Sequence, residues 1–448
     1  MWFSTVSLLI ALVAQAQAPA SHPDIAPGPE KFAVRVVASG LTNPWEMAWG
    51  PDGRLWVTER VGFRILRINP ADGTREVLVT VPDVMRTHGQ DGLLGLALHP
   101  GLLTAAGPNH VFAALTYDAD PGPGTARRLL VRRYTFDQNT VSLTSPLDIV
   151  SGLPAGEDHI SGRLAIGRDG KLYLTLGDQG FNQLGLYCQP IRAHELPTAA
   201  EVAARDWRHY QGKILRLNLD GSIPTDNPTF GGVRSHIFST GHRNAQGLVF
   251  GPGSRLYASE HGPSMDDEVN LIEAGKNYGW PYVAGYRDDR FYTYNNWSAS
   301  TPQPCSTLKF TEIVAPASVP QQRESAWTDP AFMPPIRTFF TMPADWDIRT
   351  QGFGTIAPSG MDVYSVPTGG IPGWSDSILV TSLTRGVVYR VKLAADGRST
   401  TGPSFEYFRQ RSRYRDVTVG PDGRTIYVIA DTGSQENPGS ILAFTFQP

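Results

Sequence analysis

Residues 165–178 read AIGRDGKLYLTLGD and contain a short apolar stretch, a Gly-Arg-Asp-Gly turn and an alternating strand. An Asp-Gly pair between two apolar runs is a strong indication of a β-hairpin. Alternation with a period of two over residues 171–176 places every second side chain on the same face of a sheet. The stretch therefore predicts two antiparallel strands joined by a tight turn.

The same pattern recurs along the chain. Clear copies occur at 48–60 (AWGPDGRLWVTER), 249–262 (VFGPGSRLYASEHG) and 417–433 (VTVGPDGRTIYVIADTG), and weaker copies at 96–117 and 361–382. Six widely spaced hairpins with little helical periodicity predict an all-β protein, a six-bladed β-propeller with long inter-strand loops. The alternative is a sandwich or a barrel in which the Gly-Asp turns are similar by chance.

Two stretches have the character of loops between strands. Residues 181–211 contain the one predicted helix, over 197–210, and residues 285–358 are rich in aromatic residues and proline. No Ser/Gly-rich linker or run of charge divides the chain. Residues 32–448 are therefore predicted to form a single propeller domain.

Composition excludes some classes of function. The 448 residues carry a net charge of −3, which gives no electrostatic reason to expect binding to nucleic acid or to an anionic membrane. No segment reaches the roughly 18 apolar residues of a membrane span. The 46 glycines and 36 prolines suit a fold with many turns.

The N-terminus has the pattern of an export signal. Residues 1–16 are predicted to be a signal peptide, because an apolar run over 6–13 precedes Ala14-Gln15-Ala16, a small-x-small cleavage site. A buried N-terminal helix is the alternative, since no Lys or Arg precedes the run. A signal peptide predicts a periplasmic or secreted protein, in which Cys188 and Cys305 are allowed to pair.

Several polar groups of residues directly follow predicted strands. Loops at the ends of propeller strands crowd one mouth of the ring, so these groups predict one central polar site. They are residues 88–92 (HGQDG), 158–159 with Asp178 and 183–184, 241–244 (GHRN), 260–263 (EHGP) with 266–268, and 413–416 (RYRD).

The residue types in these groups suggest a specific chemistry. His159 beside a buried Asp178 would be a good general base, because a free imidazole titrates close to neutral pH. The acidic residues 266–268 suggest Ca²⁺, and Arg413 and Arg415, alternating on a strand near Asn244, suit a ligand with carboxylates. The alternatives are a structural histidine, an exposed acidic turn and a solvated strand edge.

Other cofactor motifs are missing from the sequence. It has no Cys/His zinc spacing, P-loop or Gly-x-Ser-x-Gly elbow. No Gly-x-Gly-x-x-Gly follows a strand and opens a helix, so NAD is not expected.

Longer motifs resemble the soluble quinoprotein glucose and aldose sugar dehydrogenases, which carry pyrroloquinoline quinone and calcium on a six-bladed propeller. The resemblance runs from about Phe32 to the end of the chain. The matching segments are GQDGLLG (89–95), DHISGRLAIG (158–167), GDQGFNQL (177–184), GKILRLNLDGSIPTDNP (212–228), GHRNAQGL (241–248), GPSMDDEVNLI (262–272), NYGWPYVAGY (277–286) and RYRDV (413–417).

The resemblance implies roles for the site residues. His159 would take the proton from the anomeric hydroxyl of a sugar while the C1 hydride passes to the quinone, Asp178 would orient the imidazole, and Arg243 would stabilise developing negative charge. Asp158, Gln183 and Leu184 would line the sugar site. The implied cofactor contacts are Gln90, His159, Arg243, Asn244, Thr355, Thr384, Arg413 and Arg415.

The resemblance also implies two calcium sites. The carbonyls of Gly262 and Pro263 would bind the Ca²⁺ that polarises the quinone. A second Ca²⁺, which supports dimerisation in the family and so raises the prospect of a homodimer here, would be bound by five further residues. These are the side chains of Glu268, Asp288 and Glu324 and the carbonyls of Tyr278 and Ala284.

The chain departs from the family pattern at three places. Thr384 stands where the relatives carry a lysine that touches the quinone, and Phe353 stands where they carry a tryptophan. The segments around Cys188 and Cys305 do not match the relatives' disulfide segment. These differences bear on cofactor affinity and sugar preference more than on the type of reaction.

The leading interpretation is an exported enzyme that oxidises aldose sugars such as glucose at C1 to the lactone. It would use pyrroloquinoline quinone and Ca²⁺ and pass electrons to an external acceptor. One alternative is a calcium-dependent propeller lactonase, in which Arg413 and Arg415 would have no evident role. Another is a non-catalytic sugar-binding propeller, which the loss of lysine at Thr384 favours and the retention of His159 and Asp178 opposes.

Overall fold

The structure, a computed structural model, describes residues 24–87, 89–311 and 314–448. The predicted signal peptide and His88 of the first polar group lie outside these residues. Among the described residues, no helix has the length and apolarity needed to cross a membrane.

Strands dominate the chain, and they are numbered here in chain order. They are β1 (Ile25–Pro27), β2 (Lys31–Ala38), β3 (Pro44–Trp49), β4 (Leu55–Glu59), β5 (Arg64–Ile68), β6 (Arg75–Thr80), β7 (Leu93–Leu98), β8 (His110–Asp118), β9 (Arg127–Asp137), β10 (Ser142–Pro154), β11 (Ser161–Ile166), β12 (Leu172–Leu176), β13 (Lys213–Leu217), β14 (Thr229–Phe230), β15 (Val233–Arg234), β16 (Ile237–Thr240), β17 (Ala245–Phe250), β18 (Leu256–Glu260), β19 (Asp267–Ile272), β20 (Tyr294–Asn295), β21 (Gln321–Gln322), β22 (Arg337–Phe339), β23 (Pro358–Tyr364), β24 (Ser377–Ser382), β25 (Val388–Leu393), β26 (Thr400–Tyr407), β27 (Tyr414–Val419), β28 (Thr425–Ala430) and β29 (Ser440–Gln447).

Six antiparallel sheets follow one another around a central axis, which confirms the predicted six-bladed propeller. The innermost strand of each blade contacts those of the two neighbouring blades. The blades are β3–β6, β7–β10, β11-β12-β13-β16, β17-β18-β19-β22, β23–β26 and β27-β28-β29-β2.

The two ends of the chain meet in the sixth blade. Strand β2 pairs antiparallel with β29, from Lys31 opposite Gln447 to Ala38 opposite Ile441. This pairing closes the ring with hydrogen bonds. Strand β1 adds a parallel outer strand to the fifth blade, through its pairing with β26.

The opening sequence pattern folds as predicted. The Gly167 amide donates to the Lys171 carbonyl at 2.9 Å, and Gly170 has a φ of +68°, which the turn requires and which glycine adopts at little cost. Strand β12 is buried on both faces: Leu172, Leu174 and Leu176 pack towards the second blade, while Tyr173 packs towards the fourth. Blade-on-blade packing therefore explains its apolar character.

A buried charge cluster blocks the middle of the central channel. Arg163 of β11 lies 3.2 Å from Glu46 and 3.2 Å from Asp416, and its Nε donates to the Gln246 carbonyl at 2.8 Å. Its guanidinium also lies 4.3 Å from the centroid of the Trp45 ring. Burial raises the pKa of Glu46 to about 8, the nearby guanidinium opposing that rise.

The long loops differ in part from the prediction. Helix α1 covers only Ala199–Ala203, with Thr198 and Glu201 in a reciprocal capping box, and the predicted extension to residue 210 is wrong. The chain leaves the helix at Arg205, where φ is +55°, and turns back to bury Trp207. Helix α2 (Ile348–Gln351) and five short 3-10 helices, at Leu184–Leu186, Pro252–Ser254, Trp297–Ala299, Cys305–Thr307 and Glu324–Ala326, complete the loops.

A disulfide joins the two long loops. Cys188 and Cys305 are bonded, with their Cα atoms 5.6 Å apart. The bridge packs with Trp297, Tyr187 and Phe310 in a small apolar cluster beside the main core. The sequence permitted this disulfide without predicting it, and the structure contains it. It ties the loop over residues 181–211 to the loop over residues 285–358.

Candidate active site

A histidine–carboxylate pair lies at one end of the channel. The Nδ1 atom of His159 is 2.6 Å from Oδ1 of Asp178, and both side chains are buried. The hairpin β11–β12 creates this contact, because the loop before β11 and the end of β12 lie side by side. Gly177 permits it, since a Cβ there would lie 1.9 Å from the His159 carbonyl.

The second oxygen of Asp178 has its own partner. The indole Nε1 of Trp280 donates to Oδ2 of Asp178 at 2.8 Å, and the Gly180 amide donates to Oδ1 at 2.9 Å. An ionised carboxylate only accepts hydrogen bonds, so the imidazole proton lies on Nδ1. The Nε2 atom of His159 then carries a lone pair that can accept a proton.

The predicted sugar-site residues surround Nε2 of His159. Gln183 brings its Nε2 to 3.3 Å, and Asp158 has a carboxylate oxygen at 3.8 Å. Asp158 also accepts a hydrogen bond from Gln90. Leu184 follows Gln183 in the chain and is 57% exposed.

Glu260 organises the loop that presents the next two residues. Its carboxylate accepts hydrogen bonds from the backbone amides of Arg243 and Asn244, and it lies 2.9 Å from Nδ1 of the buried His242. The guanidinium of Arg243 donates to Gln183 Oε1 at 2.8 Å. The loop therefore directs Arg243 towards the catalytic pair.

A cavity of about 420 Å³ opens along the channel axis beside this pair, and it is called the central cavity here. It carries an excess of positive charge, because three arginines face one acid. Its polar and aromatic lining residues include Trp45, Arg60, Gln90, Ser161, Gln246, His261, Thr384, Arg413, Arg415 and Asp431.

Arg413 and Arg415 enter the central cavity as predicted. Both guanidinium groups approach the same oxygen of Asp431, at 3.2 and 3.6 Å, and Arg415 also reaches Ser359 and Gln246. Burial lowers the pKa of Arg415 to about 10, which leaves it charged near neutral pH. One carboxylate cannot balance the arginines, so the cavity suits an anion with several carboxylates.

Polar atoms without partners point to the same conclusion. Within the described part of the chain, Asn244 Nδ2, Arg243 Nε and His261 Nε2 are buried and accept or donate no hydrogen bond. Buried polar groups normally have partners, and each exception requires an explanation. A bound polar ligand in this region would supply the missing contacts, so the residues fit a polycarboxylate quinone.

Thr384 and Thr355 lie together at the edge of the central cavity. The Thr384 hydroxyl donates to the Thr355 carbonyl at 3.2 Å, and Thr355 donates to Asp267 Oδ2 at 2.7 Å. The neighbouring Arg385 turns to the Thr355 carbonyl and the Phe340 ring, 4.7 Å from its centroid. Thr384 lines the central cavity, whereas Arg385 is not among its lining residues.

An outer cavity of about 480 Å³ adjoins the pair on its other side. Gln183 and Arg243 form its inner wall, and aromatic rings form much of the rest. The aromatic lining residues are Phe181, Trp280, Phe291, Tyr292, Tyr294, Trp297, Phe310 and Trp346. A wall of rings and amides suits a sugar, whose C–H faces pack on aromatic rings and whose hydroxyls form hydrogen bonds.

Gly262 and Pro263, predicted to bind the first calcium, form a tight turn after β18. The Gly262 amide donates to Asp267 Oδ1 at 2.9 Å, and Asp267 in turn holds the backbone of residues 356–357. A Cβ on Gly262 would lie 1.8 Å from the Met265 carbonyl, so the tight turn requires glycine. Pro263 lies on the wall of the outer cavity.

Buried acids cluster behind this turn. Glu268 accepts from the Gly285 amide at 2.6 Å, and Glu324 accepts from the amides of Ala284, Asp288 and Asp289. Tyr278 is buried and donates to the Leu271 carbonyl at 2.6 Å. Across the described ranges, no three His, Cys, Asp or Glu side chains already form a metal-binding group.

The electrostatics of the acids nevertheless fit a cation. Burial raises the pKa of Glu324 to about 7, and it raises the pKa values of Asp266 and Glu268 well above their ordinary range. The like charges of Asp288 and Glu324 add to the effect on Asp266. Among the described residues, Asp266 Oδ1 is buried without a hydrogen-bond partner. A hard cation bound by these oxygens would favour the ionised acids and give Asp266 Oδ1 a partner.

Sequence reasoning missed several site residues. Arg60 and Asp431 both stand where the second strand of a repeat ends, as Asp178 does, so alignment of the repeats could have found them. Trp280 gave no comparable signal, because it lies in the loop after β19 and reaches Asp178 over 102 residues of sequence.

The sequence matches a known protein family over most of its length. The sequence profile of the Glucose / Sorbosone dehydrogenase family matches residues 41–332 and 347–442. The chain is 41% identical over 443 residues to quinoprotein glucose dehydrogenase B of Acinetobacter calcoaceticus, covering 93% of this chain and 92% of that protein. It is 28% identical over 414 residues to the aldose sugar dehydrogenase YliI of Escherichia coli K12, covering 91% and 92%.

A solved structure agrees with these relatives. The pyrroloquinoline quinone-bound form of aldose sugar dehydrogenase from Streptomyces coelicolor superposes with a TM-score of 0.64 at 25% identity, covering 94% of this chain and 100% of that one. The fold is that of the propeller sugar dehydrogenases. The chain belongs to the glucose/sorbosone dehydrogenase family, as its motifs predicted.

Proposed function

We propose that the protein is an exported dehydrogenase that oxidises aldoses such as glucose at C1 to the lactone. The observation that carries the proposal is the His159–Asp178 pair, which lies between a cationic cavity and an aromatic cavity. The first suits an anionic quinone and the second suits a sugar. Electrons would leave to an external acceptor.

The chain supplies the acid–base chemistry. Nε2 of His159 accepts the proton of the C1 hydroxyl, Asp178 stabilises the imidazolium, and Asp158 and Gln183 bind sugar hydroxyls. Arg243 stabilises negative charge that develops beside the pair. Pyrroloquinoline quinone and Ca²⁺, when bound, supply the hydride acceptor and the Lewis acid that no side chain provides.

The residues proposed to hold these groups are the ones that the family resemblance implies. Gln90, Asn244, Thr355, Thr384, Arg413 and Arg415 would contact the quinone, and the carbonyls of Gly262 and Pro263 would bind its Ca²⁺. A second Ca²⁺ would be held by Glu268, Asp288, Glu324 and the carbonyls of Tyr278 and Ala284. A homodimer that dissociates on chelation, measured by light scattering, would support the role of the second ion.

The test is reconstitution of the apoprotein. Quinone and Ca²⁺ are added, and dye reduction is followed with a panel of aldoses and with no sugar. Aldose-dependent dye reduction is expected. Bound quinone without dye reduction would contradict the proposal, and hydrolysis of lactones by Ca²⁺-loaded protein without quinone would instead favour a lactonase.

Export is proposed from residues 1–16 and has its own test. N-terminal sequencing of the protein recovered from the periplasm or medium should give a chain that begins after Ala16. An intact Met1 in functional protein would contradict the signal peptide.

Chelation of calcium should remove activity and lower thermal stability, because a ligand that binds only the folded state stabilises it by mass action. The stability effect should depend on pH. Since burial raises the pKa of Glu324 to about 7 in the folded protein, ionisation costs stability as pH rises from about 4.5 to 7. Apoprotein should therefore melt lower at pH 8 than at pH 5.

Calcium should reverse that trend, because it binds the ionised acids and stabilises the protein more at pH 8 than at pH 5. The measurement is thermal melting with EDTA or with Ca²⁺ at both pH values. Glu273→Gln, which removes a partly exposed acid paired with Arg398, is the matched control and should leave the calcium effect unchanged. Equal melting temperatures with and without Ca²⁺ would contradict both calcium sites.

Thr384→Lys should tighten quinone binding about 5-fold, since a charged donor contributes about 1 kcal/mol more than a neutral hydroxyl. Calorimetric titration of apoprotein at fixed Ca²⁺ measures the effect. Thr384→Gln lengthens the side chain without a charge and serves as the control. Equal affinities for the lysine and wild-type proteins would mean that Thr384 does not face the quinone.

A further inference from the structure

We infer that Trp280 is a positioning residue that holds the catalytic pair and Arg243 in one fixed arrangement. The inference rests on the proposed function, and it assigns a role to a residue in the loop between β19 and β20. Trp280 is 9% exposed, so its ring is almost fully enclosed by the groups that it contacts.

One edge of the indole fixes the carboxylate. Its Nε1–H donates to Oδ2 of Asp178 at 2.8 Å, while Oδ1 of the same carboxylate lies 2.6 Å from His159. A carboxylate can rotate about its terminal torsion, which has a broad energy profile. A separate donor on each oxygen restrains that rotation. Trp280 therefore keeps Oδ1 with the imidazole and keeps the lone pair of Nε2 directed towards the sugar.

The face of the indole supports the cation. The guanidinium carbon of Arg243 lies 5.2 Å from the ring centroid, within the range of a cation–π interaction. Arg243 also donates to Gln183 at 2.8 Å, and Gln183 is adjacent to Nε2 of His159. Asp178, which holds the base, and Arg243, the charge-stabilising group, thus share one aromatic neighbour.

The two functions of the ring can be separated. Trp280→Phe keeps an aromatic face under Arg243 and removes the N–H. Trp280→His keeps a ring N–H, because Nε2 of histidine is three bonds from Cβ, as is Nε1 of tryptophan. Trp207→Phe is the matched control, since this buried indole donates to the Ser151 carbonyl at 3.0 Å, away from the site.

The first readout uses apoprotein, without quinone or sugar. In protein labelled with ¹⁵N-histidine, the His159 Nδ1–H proton held by Asp178 should give a downfield signal, assigned by its loss in Asp178→Asn. The signal should be lost or broadened in Trp280→Phe and retained in Trp280→His at pH 8 and in Trp207→Phe. An unchanged signal in Trp280→Phe would overturn the inference.

The second readout uses enzyme saturated with quinone and Ca²⁺. Trp280→Phe should lower kcat about 10- to 100-fold, the effect of a slight misplacement of a catalytic group. KM for the sugar should stay within about 2-fold, because phenylalanine keeps an aromatic ring in the wall of the outer cavity. A wild-type kcat would overturn the inference. If the phenylalanine variant does not fold, the histidine variant decides, and loss of its imidazole signal would overturn the inference. Absence of dye reduction by wild-type enzyme would contradict the proposed function alone, because the first readout needs no turnover.

Discussion

His159→Ala is expected to lower aldose turnover about 10²–10⁴-fold, the usual contribution of a general base. The imidazole lies between the two cavities and combines an unprotonated Nε2 with a carboxylate 2.6 Å from Nδ1. Alanine removes the proton acceptor but leaves the arginines of the central cavity in place. Quinone affinity should therefore change little.

The measurement is dye reduction with saturating aldose, together with calorimetric titration of quinone. His209→Ala is the matched control, because the partly buried His209 lies between Glu195 and Glu201, outside both cavities, and should give wild-type turnover. Turnover of His159→Ala within a few-fold of wild type would remove His159 from the mechanism. A large loss of quinone affinity would instead give it a role in cofactor binding.

Arg163→Met is expected to lower the free energy of unfolding by about 3–5 kcal/mol, the usual cost of breaking a buried ion pair. The methionine would leave Glu46 and Asp416 facing each other in the channel without a cation. Burial already raises the pKa of Glu46 to about 8. The loss should therefore be greater at pH 9, where the acid must ionise, than at pH 6.

Denaturant unfolding at both pH values measures this effect. Arg398→Met removes a half-exposed arginine paired with Glu273 and should cost less than about 1 kcal/mol. Adding Glu46→Gln and Asp416→Asn to Arg163→Met should recover most of the loss, since the neutral groups keep accepting the backbone amides of Leu96 and Met47. A loss under about 1 kcal/mol in Arg163→Met would show that the cluster does not stabilise the fold.

The sequence predicted features that depend on neighbouring residues. Gly-Asp turns fix hairpins locally, and the hairpin geometry was enough to bring His159 beside Asp178. Arg413, directly before β27, and Arg415, within it, were found because alternation along an extended chain fixes which way side chains point. These predictions needed only the strand period and the turn type.

Features that depend on long-range packing could not be predicted. The helix after Thr198 is shorter than predicted, because the chain turns at Arg205 to bury Trp207 in the core. The local sequence does not reveal this burial. Trp280 contacts Asp178 through a loop whose path depends on the fourth blade. The calcium ligands and the roles of individual cofactor contacts came from family resemblance, and they stay predictions.

The pairing of β2 with β29 has a consequence for how the protein matures. Arg60 comes from the first blade, and Arg413 and Arg415 come from the start of the sixth blade. These two blades become neighbours only when the ring closes, so the central cavity is complete only then. Closure joins the two ends of the chain, and contacts between distant residues form slowly. A newly made chain would therefore take up quinone only after its two ends have paired. The rate of quinone uptake could be used to follow this last step of folding.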